Sequence, residues 1–301
     1  LYVLQQDSRR NGNCYMKSDQ FTEQVSRLVD ISLNYKEAME IIRGQSDPPA
    51  GVTREAIAVA VSNYRAKGGR TFRYTVAKIP TSALRTALGT LCGASRIIVE
   101  DDRVYLGYLY RAENLTARCL RTMSISGYGC FPAAEEVMDE ICAAEGIVLE
   151  EMQRKAVLQA CANRGGLLIL IGQAGCGKTF TLNIIIKVLA ELYKREGLSF
   201  SARIMAPTGQ AAQVAHRATG LPASTIHRAL HIVVDQDIEA ETSIACDCVI
   251  VDEFSMVGIN LAAALLSSIA GGTKTIIMGD IRQLPSIDPG NVLRDIIDSR
   301  V

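Results

Sequence analysis

Apolar and polar positions give the chain two textures. Up to about residue 148 apolar residues recur mostly at helical spacing, with one hairpin signal. From residue 149 short solid apolar runs alternate with amphipathic stretches. In the first region Val25, Leu28, Val29, Ile31 and Leu33 predict one helix or two between Phe21 and Arg43. The two prolines and the glycine of the stretch 45–51 end that pattern. Thr53 is a candidate N-cap for a helix over Ala56–Lys67, which Gly68-Gly69 would stop. Thr71–Ile79 has strand character, and Ser82–Leu91 reads as a short helix. The run from Arg96 to Tyr110 reads as two β-rich segments folded around Glu100, Asp101 and Asp102. Helices followed by a hairpin predict a winged-helix-like module, serving as a DNA contact or as a packing spacer. A helix over Ala133–Ala144 then leads through Gly146 into the second region.

There the expected order is helix Glu150–Ala162, strand Leu167–Ile171, a glycine loop and helix Lys178–Glu196. Strand Phe200–Met205, helix Gly209–Thr219 and a short helix over Thr225–Leu230 follow. Strand Cys248–Val251, helix Ile259–Ile269, strand Thr275–Met278 and a last helix from Asn291 complete it. Apolar strands of four to six residues spaced by helices predict a parallel sheet covered on both faces. The fold class expected is therefore α/β, a phosphate-loop parallel-sheet domain over 149–301 preceded by a mainly helical, winged-helix-like domain over 1–148.

Composition changes this picture little. A length of 301 residues suits two domains of roughly 150. With 48% hydrophobic and 21% charged residues, a disordered or collagen-like chain is excluded. No apolar run approaches the ~18 residues of a membrane span, so no membrane partner is expected. The 32 basic and 32 acidic groups cancel, and neither region carries an excess that points to nucleic acid. Phosphate contacts can still come from backbone N–H groups and hydroxyls. Nine cysteines with no C-x-x-C pair fit a reducing, cytoplasmic setting, most of them as small buried hydrophobes. A start without Met is expected to mark a fragment or a trimmed N-terminus.

Chemistry enters with the string 172–179, Gly-Gln-Ala-Gly-Cys-Gly-Lys-Thr, a complete G-x-x-x-x-G-K-[ST] loop between a predicted strand and a predicted helix. Gly172, Gly175 and Gly177 let backbone N–H groups face phosphates, and the helix N-terminus adds positive potential. Lys178 is the expected partner of the β- and γ-phosphates of ATP, and Thr179 of Mg²⁺. About 75 residues on, Cys248-Val-Ile-Val leads into Asp252 and Glu253. A strand carries such acids to its C-terminal end, where α/β sheets bind ligands. Asp252 is the candidate Mg²⁺ carboxylate and Glu253 the candidate general base. Thr275-Ile-Ile-Met-Gly-Asp280 is a third strand with a polar end, and Gln283 beyond it is a candidate γ-phosphate sensor. Pro207 and Thr208 follow another strand end, and Thr225 and His227 open a short helix. Hydroxyls at such ends cap helices or bind sugar-phosphate.

Together the strings GQAGCGKT, APTGQAA, STIHRAL, VIVDEFSM and IIMGDIRQLPSIDPGNVLRDI resemble the RecD-like branch of superfamily 1 DNA helicases. Five ordered motifs over about 130 residues carry the likeness. The stretch 149–153 is similar to the family's Q motif, which implies that Gln153 contacts adenine. The resemblance also implies Phe180 as a nucleotide-site residue beside the loop. It puts Pro207, Thr208, Thr225 and His227 on single-stranded DNA, and makes Gln283 the coupler of nucleotide state to DNA grip. The implied activity is ATP-driven 5′-to-3′ movement along single-stranded DNA. Residues 102–106 and 109–113 are similar to the family's pre-helicase domain, whereas the stretch 44–80 departs from it. The chain ends just past the third helicase motif, so it is expected to be the N-terminal part of a helicase, with the first of two motor domains. Nuclease or recombination subunits as partners do not follow from the residues. Two other readings stay open: the helicase segment of a conjugative relaxase, and a nucleotide-gated DNA-binding protein without motor activity. His216, His227 and His231 are the three histidines, all in the motor region, whereas a relaxase needs a histidine cluster upstream.

Overall fold

The computed structural model describes residues 2–29, 31–48, 53–66, 73–77, 81–173, 175–232, 243–283 and 285–299. Gly68-Gly69, the expected helix stop, lies outside them, as do parts of the expected strand 71–79. Packing divides the chain into two units, residues 1–6 with 15–107 and residues 7–14 with 108–301.

The elements begin with α1 (Tyr2–Asn11), β1 (Tyr15–Lys17), α2 (Ser18–Val29), β2 (Ile31–Asn34), α3 (Tyr35–Ile42) and α4 (Arg54–Ala66). β3 (Arg73–Ala77), α5 (Thr81–Gly93), β4 (Ile97–Glu100) and β5 (Arg103–Leu106) follow. The helical reading of 21–43 is corrected here, because a strand interrupts it. Ile31–Asn34 alternates apolar and polar and pairs antiparallel with β3. Asn34 then starts a fresh helix: its side chain accepts from Glu37 N–H while the Glu37 carboxylate accepts from Asn34 N–H. Such a capping box satisfies two amides that a helix start leaves open. α3 and α4 bury Ala38, Ile41, Ile57 and Val61 against each other. The expected hairpin is β4 and β5, with Asp101 in the left-handed region at its turn (φ 51°). β1 adds a third strand to it.

The second strand of that hairpin is shorter than the sequence suggests. It stops at Leu106, and α6 (Gly107–Ile125) begins at once. Tyr108, Leu109 and Tyr110 look strand-like by composition. Leu109, Ala112, Thr116 and Leu120 are nevertheless buried at three- and four-residue steps, which is one helical stripe.

Next come α7 (Ala134–Glu145), α8 (Glu151–Cys161), β6 (Gly166–Ile171), α9 (Lys178–Arg195), β7 (Ala202–Ala206) and α10 (Gly209–Thr219). β8 (Ala223–Thr225), α11 (Ile226–Ala229), β9 (Cys248–Val251), α12 (Ile259–Ser268), β10 (Lys274–Gly279) and α13 (Val292–Ser299) complete the chain. Five parallel strands stand in the order β6-β10-β9-β7-β8. This is the parallel α/β sheet expected of the phosphate-loop domain. β8 was not anticipated; three residues leave too little pattern to separate it from the helix after it.

Leu182, Ile185, Val188, Leu189 and Leu192 form the buried face of α9 and join Ile204, Ile250, Ile276 and Met278 of the sheet in one core. Each side chain of this size stabilises the fold by about 1.5–3 kcal/mol when fully buried. Phe131, Val137 and Met138 belong to the same core, so α7 packs with the sheet. Surface ion pairs tie these helices together. Arg154 of α8 meets Asp139 at 2.5 Å and Glu135 at 2.8 Å on α7. Arg195 of α9 meets Glu140 and Glu136. Exposed pairs are individually worth little, but several from one helix fix its orientation.

Candidate functional site

The site lies at the C-terminal ends of β6, β10 and β9. Parallel register aligns Ile171 with Gly279 and Val251 with Ile277, so the segments that follow emerge on one edge. Gly172 N–H donates to Gly279 O at 3.3 Å, which fastens the loop's first residue to the neighbouring strand end.

The loop has the backbone that its glycines allow. Gly175 and Gly177 have φ of 81° and 84°, and Gly177 is the N-cap of α9. A Cβ at position 172 would collide with the Cys176 side chain. A Cβ at position 177 would meet Gln153 Nε2 at 2.8 Å. Gln153 therefore lies directly against the loop. Its Oε1 meanwhile accepts from Glu150 N–H at 3.2 Å, completing the capping box of α8. Lys178 Nζ donates to Gly172 O at 2.5 Å and to Gln173 O at 3.0 Å, so the cation folds back across the loop. Thr179 and Phe180 are exposed on the first turn of α9.

Asp252 and Glu253 follow β9. Asp252 N–H donates to Met205 O at 2.9 Å, and Asp252 Oδ1 accepts from Glu253 N–H at 2.9 Å. Glu253 adopts φ 53°, a left-handed conformation that is unusual for a residue other than glycine. Strain of this kind costs on the order of 1 kcal/mol and collects at functional sites. Burial raises the pKa of both carboxyl groups above the ordinary range. The Asp252 charge raises Glu253 further; the Gln283 side chain and the Lys178 charge pull it back. The same two carboxylates thus feel Lys178, which links the acids to the phosphate loop. Gln283 stands one turn beyond β10, in a turn fixed by buried Asp280: Arg282 N–H donates to Asp280 Oδ1 at 2.9 Å and Gln283 N–H to Asp280 O at 3.2 Å.

Lys178, Asp252, Glu253, Gln283 and Gln153 are thereby brought to one edge of the sheet. Thr179 and Asp252 offer the hard oxygen donors that Mg²⁺ prefers, and Mg²⁺ at nucleotide sites needs only one or two protein ligands beside phosphate. The donor set fits that ion. No group of three or more His, Cys, Asp or Glu side chains suited to a metal occurs among the described residues. No described helix is long and apolar enough to cross a membrane.

Three of the four expected DNA residues sit at strand ends further along the sheet, and the fourth, His227, on the short helix that follows. Pro207 and Thr208 follow β7, and Thr225 closes β8. Thr208 Oγ1 accepts from Ala211 N–H and Thr225 Oγ1 from Arg228 N–H, each at 3.2 Å. Both hydroxyls are N-caps and keep an O–H to donate. His227 is half-buried on α11. A groove of about 280 Å³ runs between α10 and β8, lined by Thr225 and Ser224 and, unanticipated, by the basic Arg217 and Arg228. Arg282 was missed as well. For all three arginines the available signal was a basic residue near a strand end or helix end, too common to single out.

Residues 148–301 match the AAA domain family. The ATP-dependent RecD2 DNA helicase of Deinococcus radiodurans is 32% identical over 201 residues, covering 66% of this chain and 27% of that protein. The RecBCD enzyme subunit RecD of Mycolicibacterium smegmatis is 34% identical over 169 residues, covering 49% and 30%. A solved structure of Pif1 helicases at forked double-stranded DNA aligns at 22% identity with a TM-score of 0.35, covering 51% of this chain and 38% of that one. The chain thus spans less than a third of the length of these two relatives. The match begins at residue 148, whereas packing divides the chain at residue 107, because α6 and α7 pack with the sheet unit.

Proposed function

Because the chain belongs to the AAA domain family over residues 148–301, we propose that it is the nucleotide-binding motor part of a RecD-like, ATP-dependent DNA helicase. The observation that carries this reading is the convergence of three strand ends: the loop 172–179, the acids Asp252 and Glu253, and Gln283 facing Glu253.

In this reading Lys178 leaves the carbonyls of Gly172 and Gln173 for the β- and γ-phosphates of ATP. Backbone N–H groups of the loop and the start of α9 hold the remaining phosphate oxygens. Gln153 contacts adenine from above Gly177. Thr179 and Asp252 hold Mg²⁺, which when bound neutralises charge on the phosphates. Glu253 takes a proton from the attacking water, and Gln283 keeps that carboxylate aimed and ionised. Phosphoryl transfer depends chiefly on such positioning and charge. Thr208, Thr225 and His227, with Pro207 shaping the strand end, contact single-stranded DNA. Movement is 5′ to 3′, and stepping requires two domains that close and open around the nucleotide. Residues 1–148 and 149–301 are proposed as its leading domain and first motor domain, acting in the cytoplasm on DNA.

An ATPase assay of the 301-residue chain, with and without single-stranded DNA, tests this. Slow turnover that barely responds to DNA and disappears in Glu253→Gln is expected. Equal rates in the wild type and Glu253→Gln contradict the assignment.

A further inference from the structure

Arg282 lies in the turn after β10, between Asp280 and Gln283. Its guanidinium donates to the side-chain oxygen of Gln173 at 2.8 and 3.2 Å, in the amide orientation that satisfies both groups. Gln173 is the second residue of the phosphate loop, and its backbone carbonyl already accepts from Lys178 at 3.0 Å. Two cations therefore converge on one loop residue, Lys178 from within the loop and Arg282 from across it. The Arg282 backbone is fixed by Asp280, and the next residue, Gln283, acts on Glu253 by lowering its pKa. The side chain itself is exposed.

We infer that Arg282 is a further nucleotide-contacting residue, which takes the terminal phosphate of a bound nucleoside triphosphate from within the same domain. The inference rests on the nucleotide site proposed above. A guanidinium presents a planar fork of donors that matches two phosphate oxygens. A phosphate oxygen adds charge–charge attraction to those hydrogen bonds, which a neutral amide oxygen cannot supply. A γ-phosphate beside Gln173 thus displaces the amide oxygen, and Arg282 exchanges a neutral partner for a charged one. A diphosphate ends one phosphate short and leaves Arg282 on Gln173. The site therefore favours ATP over ADP, and the turn that carries Gln283 registers the difference.

Calorimetry on the 301-residue chain with Mg²⁺ tests the inference, using a non-hydrolysable ATP analogue and ADP in parallel. Arg282→Ala is expected to weaken the analogue on the order of tenfold or more while ADP affinity stays within about twofold. Arg282→Lys, a point charge without the fork, is expected to fall between. Equal losses for both nucleotides in Arg282→Ala would show that the contact merely braces the loop, and would overturn the inference. An unchanged analogue affinity in Arg282→Ala overturns it too. A wild-type chain that binds neither nucleotide overturns the site itself, a different result from a lost preference at an intact site.

Discussion

The Gln283 side chain faces the carboxylate of Glu253 and lowers its pKa, relating the turn after β10 to the end of β9. Burial and the Asp252 charge raise the Glu253 pKa, and Gln283 opposes them. A general base works only when ionised. The acid limb of the pH–rate profile for ATP hydrolysis is therefore expected above the ordinary glutamate range. Gln283→Ala removes a contribution that lowers the pKa, so its acid limb moves to still higher pH. An unmoved limb would place Gln283 away from the base.

The same shifts have a stability consequence. Asp252 and Glu253 have folded pKa values above their unfolded ones, so the folded chain binds more protons in the window between. Their contribution is favourable below the unfolded pKa and is lost as pH rises through the folded pKa. At pH 7 both carboxylates oppose folding in the nucleotide-free chain. Asp252→Asn and Glu253→Gln are each expected to raise the melting temperature by a few degrees at most at pH 7. The gain shrinks near pH 4. Scanning calorimetry at the two pH values checks this, and lower melting temperatures at pH 7 run against it.

Gly177 combines a φ of 84° with the Gln153 amide 2.8 Å from where a Cβ would stand. Gly177→Ala strains the backbone and pushes Gln153 off the loop. Nucleotide affinity is expected to fall on the order of tenfold or more, whereas Gly197→Ala, also at positive φ but remote from the loop in sequence, leaves it unchanged. Titration with a fluorescent nucleotide separates the two.

Much of the sheet unit was legible because its strands are solid apolar runs and its helices carry clear stops. The bounds of α10 and β9 agree with the pattern to the residue. The glycine loop and the acids were legible from spacing alone, since their chemistry demands particular residues at a strand end. Legibility failed where local composition and tertiary packing disagree. The aromatic run 108–110 reads as strand, yet burial of Leu109, Ala112 and Thr116 makes it helix. Ile31 and Leu33 continue a helical period, but Asn34 and Glu37 form a cap that restarts the helix. Arg282 and Gln173 are 109 positions apart, and only the parallel alignment of β6 with β10 brings them together.

The groove beside Thr225 carries two basic side chains, Arg217 and Arg228. Single-stranded DNA affinity is expected to depend shallowly on salt, by about two or three phosphates' worth at ~0.7 per phosphate. Arg217→Ala with Arg228→Ala should remove most of that slope. Thr208→Ala with His227→Ala should weaken DNA binding and leave ATP affinity unchanged. A slope worth six or more phosphates would point to basic residues elsewhere, such as Arg65, Lys67, Arg70 and Arg73 of the sequence, whose side chains lie outside those described.

The most direct test of the nucleotide site is calorimetric titration of Mg²⁺–ATP into the wild-type chain and Lys178→Ala. Lys178 is bonded to the carbonyls of Gly172 and Gln173 and acts electrostatically on Asp252 and Glu253. Saturable one-site binding by the wild type and no measurable binding by a folded Lys178→Ala chain is the expected result. Equal affinity in the two proteins would contradict the assignment of residues 172–179 as the nucleotide site.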